Sequence, residues 1–263
     1  MNLTALSPFG LLVQAGDGAS SLADIAKEVV TELIDEHRLV VFRGFSRLSQ
    51  AELVAFARQF GPLLEWEFGE VLNLRIEPDP ANHIFTAGRV ELHWDGAYLG
   101  PDKTPRYNLF QCLEGSGRGG GETLFVDAAG AWEDAGASEK VRWEPLVIRY
   151  ETEKKAHFGG VFHHPLIGRH PSSGAQVVRY IEPFNEDNQD INPVQVSIEG
   201  MSSEDSHAFL TAFTRRLYSD DLMYRHAWRQ GDFVMVDNHS LLHGRSRFHD
   251  QADRRHLQRI HIL

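Results

Sequence analysis

Disulfide staples within the chain are excluded, because the sequence holds a single cysteine, Cys112. A lone thiol suits a reducing compartment. Its setting, Asn108-Leu109-Phe110-Gln111-Cys112-Leu113, is that of a buried strand in which cysteine is a small apolar filler rather than a nucleophile. Long apolar runs are missing too. None reaches the roughly 18 residues a membrane-spanning helix needs, so no membrane partner is expected. The first residues lack the basic start and apolar stretch of a secretion signal, which leaves the cytoplasm as the expected location. Positive charge is in deficit: 26 Lys and Arg stand against 37 Asp and Glu, a net charge of -11. That balance works against nonspecific nucleic-acid binding, and an anionic substrate would need a local cluster of arginines. Repeats, low-complexity segments and linker-like stretches are also lacking, so a single domain over residues 1–263 is expected.

What the sequence does contain is 42% hydrophobic and 24% charged residues, ordinary for a globular domain that can bury a sizeable core. Ser21 with Asp24 predicts a capped helix carrying Leu22, Ile25, Val29, Leu33 and Ile34 at helical spacing. Ser49 with Glu52 predicts a second, lined by Leu53, Phe56, Ala57 and Phe60 and stopped by Gly61-Pro62. A third is predicted over Ser203 to Leu217, with Phe209, Leu210, Phe213 and Leu217 inward and Arg215-Arg216 near its C-terminal end. Leu39–Phe42 reads as a buried strand. Further strands are predicted at Val90–Asp95, Tyr107–Leu113, Thr123–Val126, Leu146–Tyr150, Val177–Tyr180, Phe233–Asp237 and Leu257–Leu263. Many short strands with a few peripheral helices imply a mainly β, double-sheet architecture. Pro183–Val194, rich in Asn and Asp, reads as a loop that could serve as a lid or as plain connection.

The sharpest local signal is His93-Trp94-Asp95-Gly96. Residues two apart on a strand share a face, so His93 and Asp95 can meet one cation while Trp94 faces away. A third ligand would complete the two-histidine, one-carboxylate set that leaves positions open on iron(II). His243, followed by Gly244, is the candidate among 14 histidines, with His239 its nearest competitor; His163 and His164, before Pro165, read as loop or substrate-facing residues. Arg255 and Arg259 share a face with Leu257 by the same period of two. Two inward guanidinium groups call for anionic partners, either a ligand carboxylate or internal acids. Thr123 follows three glycines, Gly119 to Gly121. It could donate to a carboxylate, or the glycines could simply turn a hairpin. Trp94, Tyr98 and Phe110 are candidates for an aromatic substrate wall, the alternative being ordinary core packing.

Taken in order, these pieces resemble the TauD/TfdA family of Fe(II)/2-oxoglutarate dioxygenases from about Leu39 onward. Leu39–Phe45 is similar to the family's early strand, His93-Trp94-Asp95 to its first two ligands, and Gly120-Gly121-Glu122-Thr123 to an element whose threonine contacts 2-oxoglutarate. His164–Pro171 resembles a further family stretch, with one extra residue before Arg169. His243 resembles the distal ligand and Arg254-Arg255 with Arg259 the closing element. The resemblance implies a double-stranded β-helix (jelly roll) with iron(II) on His93, Asp95 and His243. It also implies 2-oxoglutarate held by Arg255 and Thr123, and Arg259 facing the substrate or supporting the site. The carboxylate at Asp95 argues against halogenation, since related halogenases replace it with a small residue. His93–Tyr98 with Phe110-Gln111-Cys112 is most similar to the oxygenases of bacterial isocyanide pathways, which act on isocyano derivatives of aromatic amino acids. The expected partners are a small carboxylate substrate and molecular oxygen, and a homo-oligomer is compatible with the sequence. A hydroxylase of a free amino acid and an alkylsulfonate or aryloxyalkanoate dioxygenase are alternatives with the same chemistry. A zinc hydrolase or a non-catalytic β-barrel binding module would need neither Arg255 nor Thr123.

Overall fold

The computed structural model describes residues 1–16, 20–67, 69–99, 103–117, 119–155, 158–184, 187, 190–191 and 193–263. The chain opens with β1 (Asn2–Ala5), β2 (Leu11–Gln14), α1 (Lys27–His37), β3 (Leu39–Arg43) and α2 (Gln50–Ala57). Four strands follow: β4 (Leu72–Leu74), β5 (Val90–His93), β6 (Tyr107–Glu114) and β7 (Thr123–Asp127). Helices α3 (Ala128–Glu133) and α4 (Ala137–Trp143) lead to β8 (Val147–Lys155), β9 (Phe158–Pro165), β10 (Ile167–Arg169), β11 (Gln176–Val178) and β12 (Val194–Ile198). The last part holds α5 (Ser203–Leu217), β13 (Met223–His226), β14 (Phe233–Asp237), β15 (Leu241–Arg245) and β16 (His256–Ile262).

Two sheets face each other. The larger has the order β1-β2-β3-β14-β6-β16-β4, antiparallel throughout except for the parallel pair β2–β3. The smaller has the order β13-β7-β15-β5 and is wholly antiparallel. From β5 onward the chain crosses between the sheets, with β5, β7, β13 and β15 in the smaller and β6, β14 and β16 in the larger, which is the double-stranded β-helix that the resemblance implied. The period of two decides which side chains enter the space between the sheets. Leu39 and Val41 of β3, Phe110 and Cys112 of β6, and Val234 and Val236 of β14 point in. Their neighbours Val40, Phe42, Tyr107, Leu109, Phe233 and Met235 point out, where Val30 and Ile34 of α1 and Leu53 and Phe56 of α2 cover them. On the smaller sheet Phe125 and Leu241 point in, while Leu92, Leu124, Val126 and Leu242 point out. That outer face packs on α5 and on the β8–β12 region through Phe209, Phe213, Tyr150 and Tyr180.

The helix signals were legible where cap and stripe agreed. Ser49 and Glu52 form a capping box on α2. Ser202 caps α5, whose Phe209, Leu210, Phe213 and Leu217 are buried. The first expected helix is broken in two. Ser21 and Asp24 close a box over a single 3-10 turn, Leu22–Asp24, and Ile25 is extended. The new helix starts in a different phase, so Val30 is buried while Val29 is 40% exposed. The strand expected at Leu146–Tyr150 runs on to Lys155, and the one expected at Val90–Asp95 ends at His93. His163 and His164 lie on β9, paired with β8, rather than in a loop. Within Pro183–Val194, residues 185–186, 188–189 and 192 lie outside the described residues, and the lid expectation lies there with them. Among the described residues, no helix is long and apolar enough to cross a membrane.

Candidate metal centre

The centre begins with a strand register. His243 on β15 is the direct partner of His93 on β5, so both side chains leave the same face of the smaller sheet and enter the interior. Their ring centroids are 4.3 Å apart. Gly244 makes this approach possible. A Cβ at that position would lie 2.7 Å from the carbonyl oxygen of Val90 and 3.1 Å from that of Glu91. The pairing register shifts immediately afterwards, between His243 and Arg245.

Asp95 lies two residues beyond His93, past the end of β5, so no strand ladder holds it. Asn238, in the turn between β14 and β15, takes over. Its Oδ1 accepts the Asp95 N–H at 2.9 Å, and its Nδ2 donates to the carbonyls of Asp95 at 2.9 Å and Pro105 at 2.8 Å. The carboxylate itself is surrounded by donors. Asn108 Nδ2 donates to Oδ2 at 2.8 Å, and Arg259 Nη1 reaches both oxygens at 3.3 Å. His261 Nε2 stands 3.0 Å and His243 Nε2 3.2 Å from Oδ2, with His93 Nε2 3.9 Å from Oδ1. Burial alone would push the Asp95 carboxyl up, but Arg259, His261 and His243 hold it well below the usual carboxylate range.

The donor set fits a first-row divalent cation. One nitrogen each of His93 and His243 and one oxygen of Asp95 lie within 4.8 Å of one another. His93 Nδ1 faces the carbonyl of Glu91 at 2.8 Å; a carbonyl only accepts, so Nδ1 carries the proton and Nε2 presents its lone pair to the cluster. Burial, and then the neighbouring His243, push the His93 pKa down to about 3, which keeps the ring neutral. His243 Nε2 is buried without a hydrogen bond, the condition of a nitrogen that a metal would satisfy. Two imidazoles and a carboxylate with open positions match iron(II).

The other expected site residues divide into two groups. Thr123 and Phe110 face the interior. Phe110 sits 6.4 Å from the ring of Phe125, which is 6.5 Å from His243, and 5.8 Å from the ring of Trp228. The Trp228 indole N–H donates to Thr123 Oγ1 at 2.8 Å, so the threonine's own proton is directed elsewhere. Arg255 is buried just before β16, its guanidinium 5.0 Å from the Phe248 ring and donating to the Gly121 carbonyl at 2.5 Å. No carboxylate among the described residues pairs with it. Arg259 is bound to Asp95 and so supports the cluster directly.

Trp94 and Tyr98 are not brought to the cluster. Trp94 is one residue out of phase with His93, so it enters the outer core, 5.2 Å from the His164 ring with Arg179 over it at 5.6 Å. Tyr98, past the turn at Gly96, packs 5.3 Å from Phe162. Of the competing histidines, His239 Nδ1 accepts from Arg179 at 2.7 Å, outside the cluster; His164 meets the Ala97 carbonyl at 2.8 Å and His163 pairs with Glu199. Sequence reasoning missed His261, Asn108 and Asn238. His261 was within reach, since it follows Arg259 by two on the same strand face.

Such a cluster between two facing sheets defines a class, and the chain belongs to it: residues 4–261 match the Taurine catabolism dioxygenase TauD, TfdA family. Among particular relatives, it is 38% identical over 263 residues to the 3-((Z)-2-isocyanoethenyl)-1H-indole synthase of Fischerella ambigua, covering 100% of this chain and 95% of that protein. It is 35% identical over 257 residues to the tyrosine isonitrile desaturase of Pseudomonas aeruginosa, covering 97% and 87%. The crystal structure of PvcB from Pseudomonas aeruginosa superposes with a TM-score of 0.81 at 31% identity, covering 99% of this chain and 91% of that one. A second PvcB structure, with a TM-score of 0.80, 31% identity and the same coverage, is described as that of an Fe, alpha-ketoglutarate dependent oxygenase from an isonitrile synthetic pathway.

Proposed function

We propose that residues 1–263 form one iron(II)- and 2-oxoglutarate-dependent oxygenase domain acting on an isocyano derivative of an aromatic amino acid, with His93, Asp95 and His243 as the metal ligands. The observation that carries the reading is the opposition of His93 and His243 across β5 and β15 with Asp95 between donors beside them. The names of the relatives, an isocyanoethenyl-indole synthase and a tyrosine isonitrile desaturase, support an aromatic isonitrile as substrate. Iron(II) with 2-oxoglutarate, once bound, supplies the oxidising power for C–H chemistry, and the protein supplies the setting.

Each residue then has a task. His93 offers Nε2 because Glu91 fixes its tautomer. Arg259 and Asn108 hold the Asp95 carboxylate in one orientation. Arg255, a buried cation with no carboxylate ion-paired to it among the described residues, is suited to the far carboxylate of 2-oxoglutarate by paired hydrogen bonds. Thr123, its oxygen occupied by Trp228, has a proton free to donate to the same group. Phe110, Phe125 and Trp228 line the interior beside the cluster and exclude water.

The test is anaerobic loading with iron(II), 2-oxoglutarate and isocyano derivatives of tyrosine and tryptophan, followed by oxygen and mass analysis of the products. Wild type is expected to yield succinate and a desaturated isonitrile. His93→Ala, Asp95→Ala and His243→Ala should abolish succinate formation while the melting transition remains cooperative. Wild-type succinate yields in any of the three would remove that residue from the ligand set.

A further inference from the structure

His261 stands at the cluster without a role in that assignment. It lies on β16, two residues past Arg259, and is 2% exposed. Its Nε2 is 3.0 Å from Asp95 Oδ2 and has no other partner among the described residues. A buried histidine nitrogen this close to a carboxylate looks like a fourth protein ligand. The other side of the ring decides against that. Trp66 Nε1 lies 3.1 Å from His261 Nδ1, with the ring centroids 5.6 Å apart. An indole N–H can only donate, so Nδ1 must accept. In the neutral ring the proton is then on Nε2, and a protonated nitrogen has no lone pair to give a metal.

We infer that His261 is a positioning residue of the centre: an N–H donor, fixed in its tautomer by Trp66, that steers the Asp95 carboxylate. This rests on the metal-ligand reading above. Oδ2 has Asn108 at 2.8 Å, His261 at 3.0 Å and His243 Nε2 at 3.2 Å, while Oδ1 has His93 Nε2 at 3.9 Å, and the arginine is shared by both at 3.3 Å. A donor from His261 beside Asn108 and Arg259 limits the directions in which the carboxylate can present an oxygen to a cation. Trp66 thereby joins the sequence to the centre from the segment before β4, where its own backbone is held by paired hydrogen bonds with Gly69, at 3.1 and 2.9 Å.

The test compares His261→Leu, His261→Gln and Trp66→Phe by anaerobic titration of the metal-free protein with cobalt(II), read from its visible absorption, alongside melting of the metal-free protein. Partners of this kind typically contribute about 10–100-fold to metal affinity. His261→Leu should therefore bind cobalt(II) at least about tenfold more weakly with a changed absorption band. His261→Gln, which restores an N–H donor, should recover most of the loss. Trp66→Phe should fall between the two, because the ring loses its tautomer lock but keeps its place, and this variant decides the matter should His261→Leu fail to fold. Cobalt(II) affinity equal to wild type in His261→Leu, or in Trp66→Phe if that is the folded variant, overturns the inference, as does a His261→Gln protein as impaired as His261→Leu. A wild-type protein that takes up no cobalt(II) would instead overturn the underlying metal assignment.

Discussion

Replacing Arg255 with methionine should leave the fold nearly as stable as before and yet cripple co-substrate binding. Arg255 is 3% exposed, and burial pushes its pKa down to about 10. A depression of that size corresponds to about 3 kcal/mol of unfavourable charging in the protein alone. Two contacts offset it: the hydrogen bond to the Gly121 carbonyl, about 1–2 kcal/mol, and the guanidinium over Phe248, about 1–2 kcal/mol. The terms nearly cancel. Arg255→Met, similar in length and without charge, should therefore change the unfolding free energy by less than about 1 kcal/mol, whereas breaking a buried ion pair costs about 3–5 kcal/mol. The co-substrate has no such compensation. Losing charge-assisted hydrogen bonds worth about 2–3 kcal/mol should raise the 2-oxoglutarate Kd roughly 30- to 150-fold. Urea unfolding of the metal-free protein and anaerobic 2-oxoglutarate titration of the cobalt(II)-loaded protein measure the two quantities separately. A stability loss near 3 kcal/mol with an unchanged Kd would show that Arg255 serves the fold alone and refute the anchor.

Two further outcomes follow from the same region. Burial, and then Arg245, push the His83 pKa down to about 4. The unfolded chain takes up its proton near the ordinary value of about 6.5, which the folded ring refuses until about 4, so stability is lost as pH falls across that window and levels off below it. His83→Phe should flatten this slope, seen as a smaller difference between urea midpoints at pH 7.5 and pH 5; an unchanged difference would place the acid sensitivity elsewhere. Gly121 has φ +73, and a Cβ there would meet Phe248 Cε1 at 2.1 Å. Gly121→Ala should displace Phe248 from between Arg245 and Arg255, costing about 2–3 kcal/mol in urea unfolding, and an unaltered midpoint would contradict the packing described.

The candidate cluster was legible in part because strand periodicity acts at short range: it suggested His93 and Asp95 as a pair, although β5 ends at His93 and Asn238 places Asp95. What periodicity could not supply was pairing between strands. The register that sets His243 opposite His93 arises from a bulge at Gly244, and β15, five residues with a glycine inside, does not stand out as a strand at all. Trp94 and Tyr98 entered the expected aromatic wall by residue type, although the alternation that favoured His93 already turned Trp94 away. The first helix failed for a related reason. A capping box satisfies the donors of one turn, and one turn is all that Ser21 and Asp24 stabilise before Ile25 extends. β9 was hidden by its paired glycines and terminal proline, which read as loop until β8 supplies a partner.

A single hydrogen atom at position 244 sets the bite of the two imidazoles. They hang from directly paired backbones whose separation is fixed by the strand ladder. Asp95 sits beyond the ladder, and side chains place it instead: Asn238 on its backbone, Asn108 and Arg259 on its carboxylate. The spacing of the imidazoles therefore answers to the sheet, and the placement of the carboxylate to the polar side chains around it.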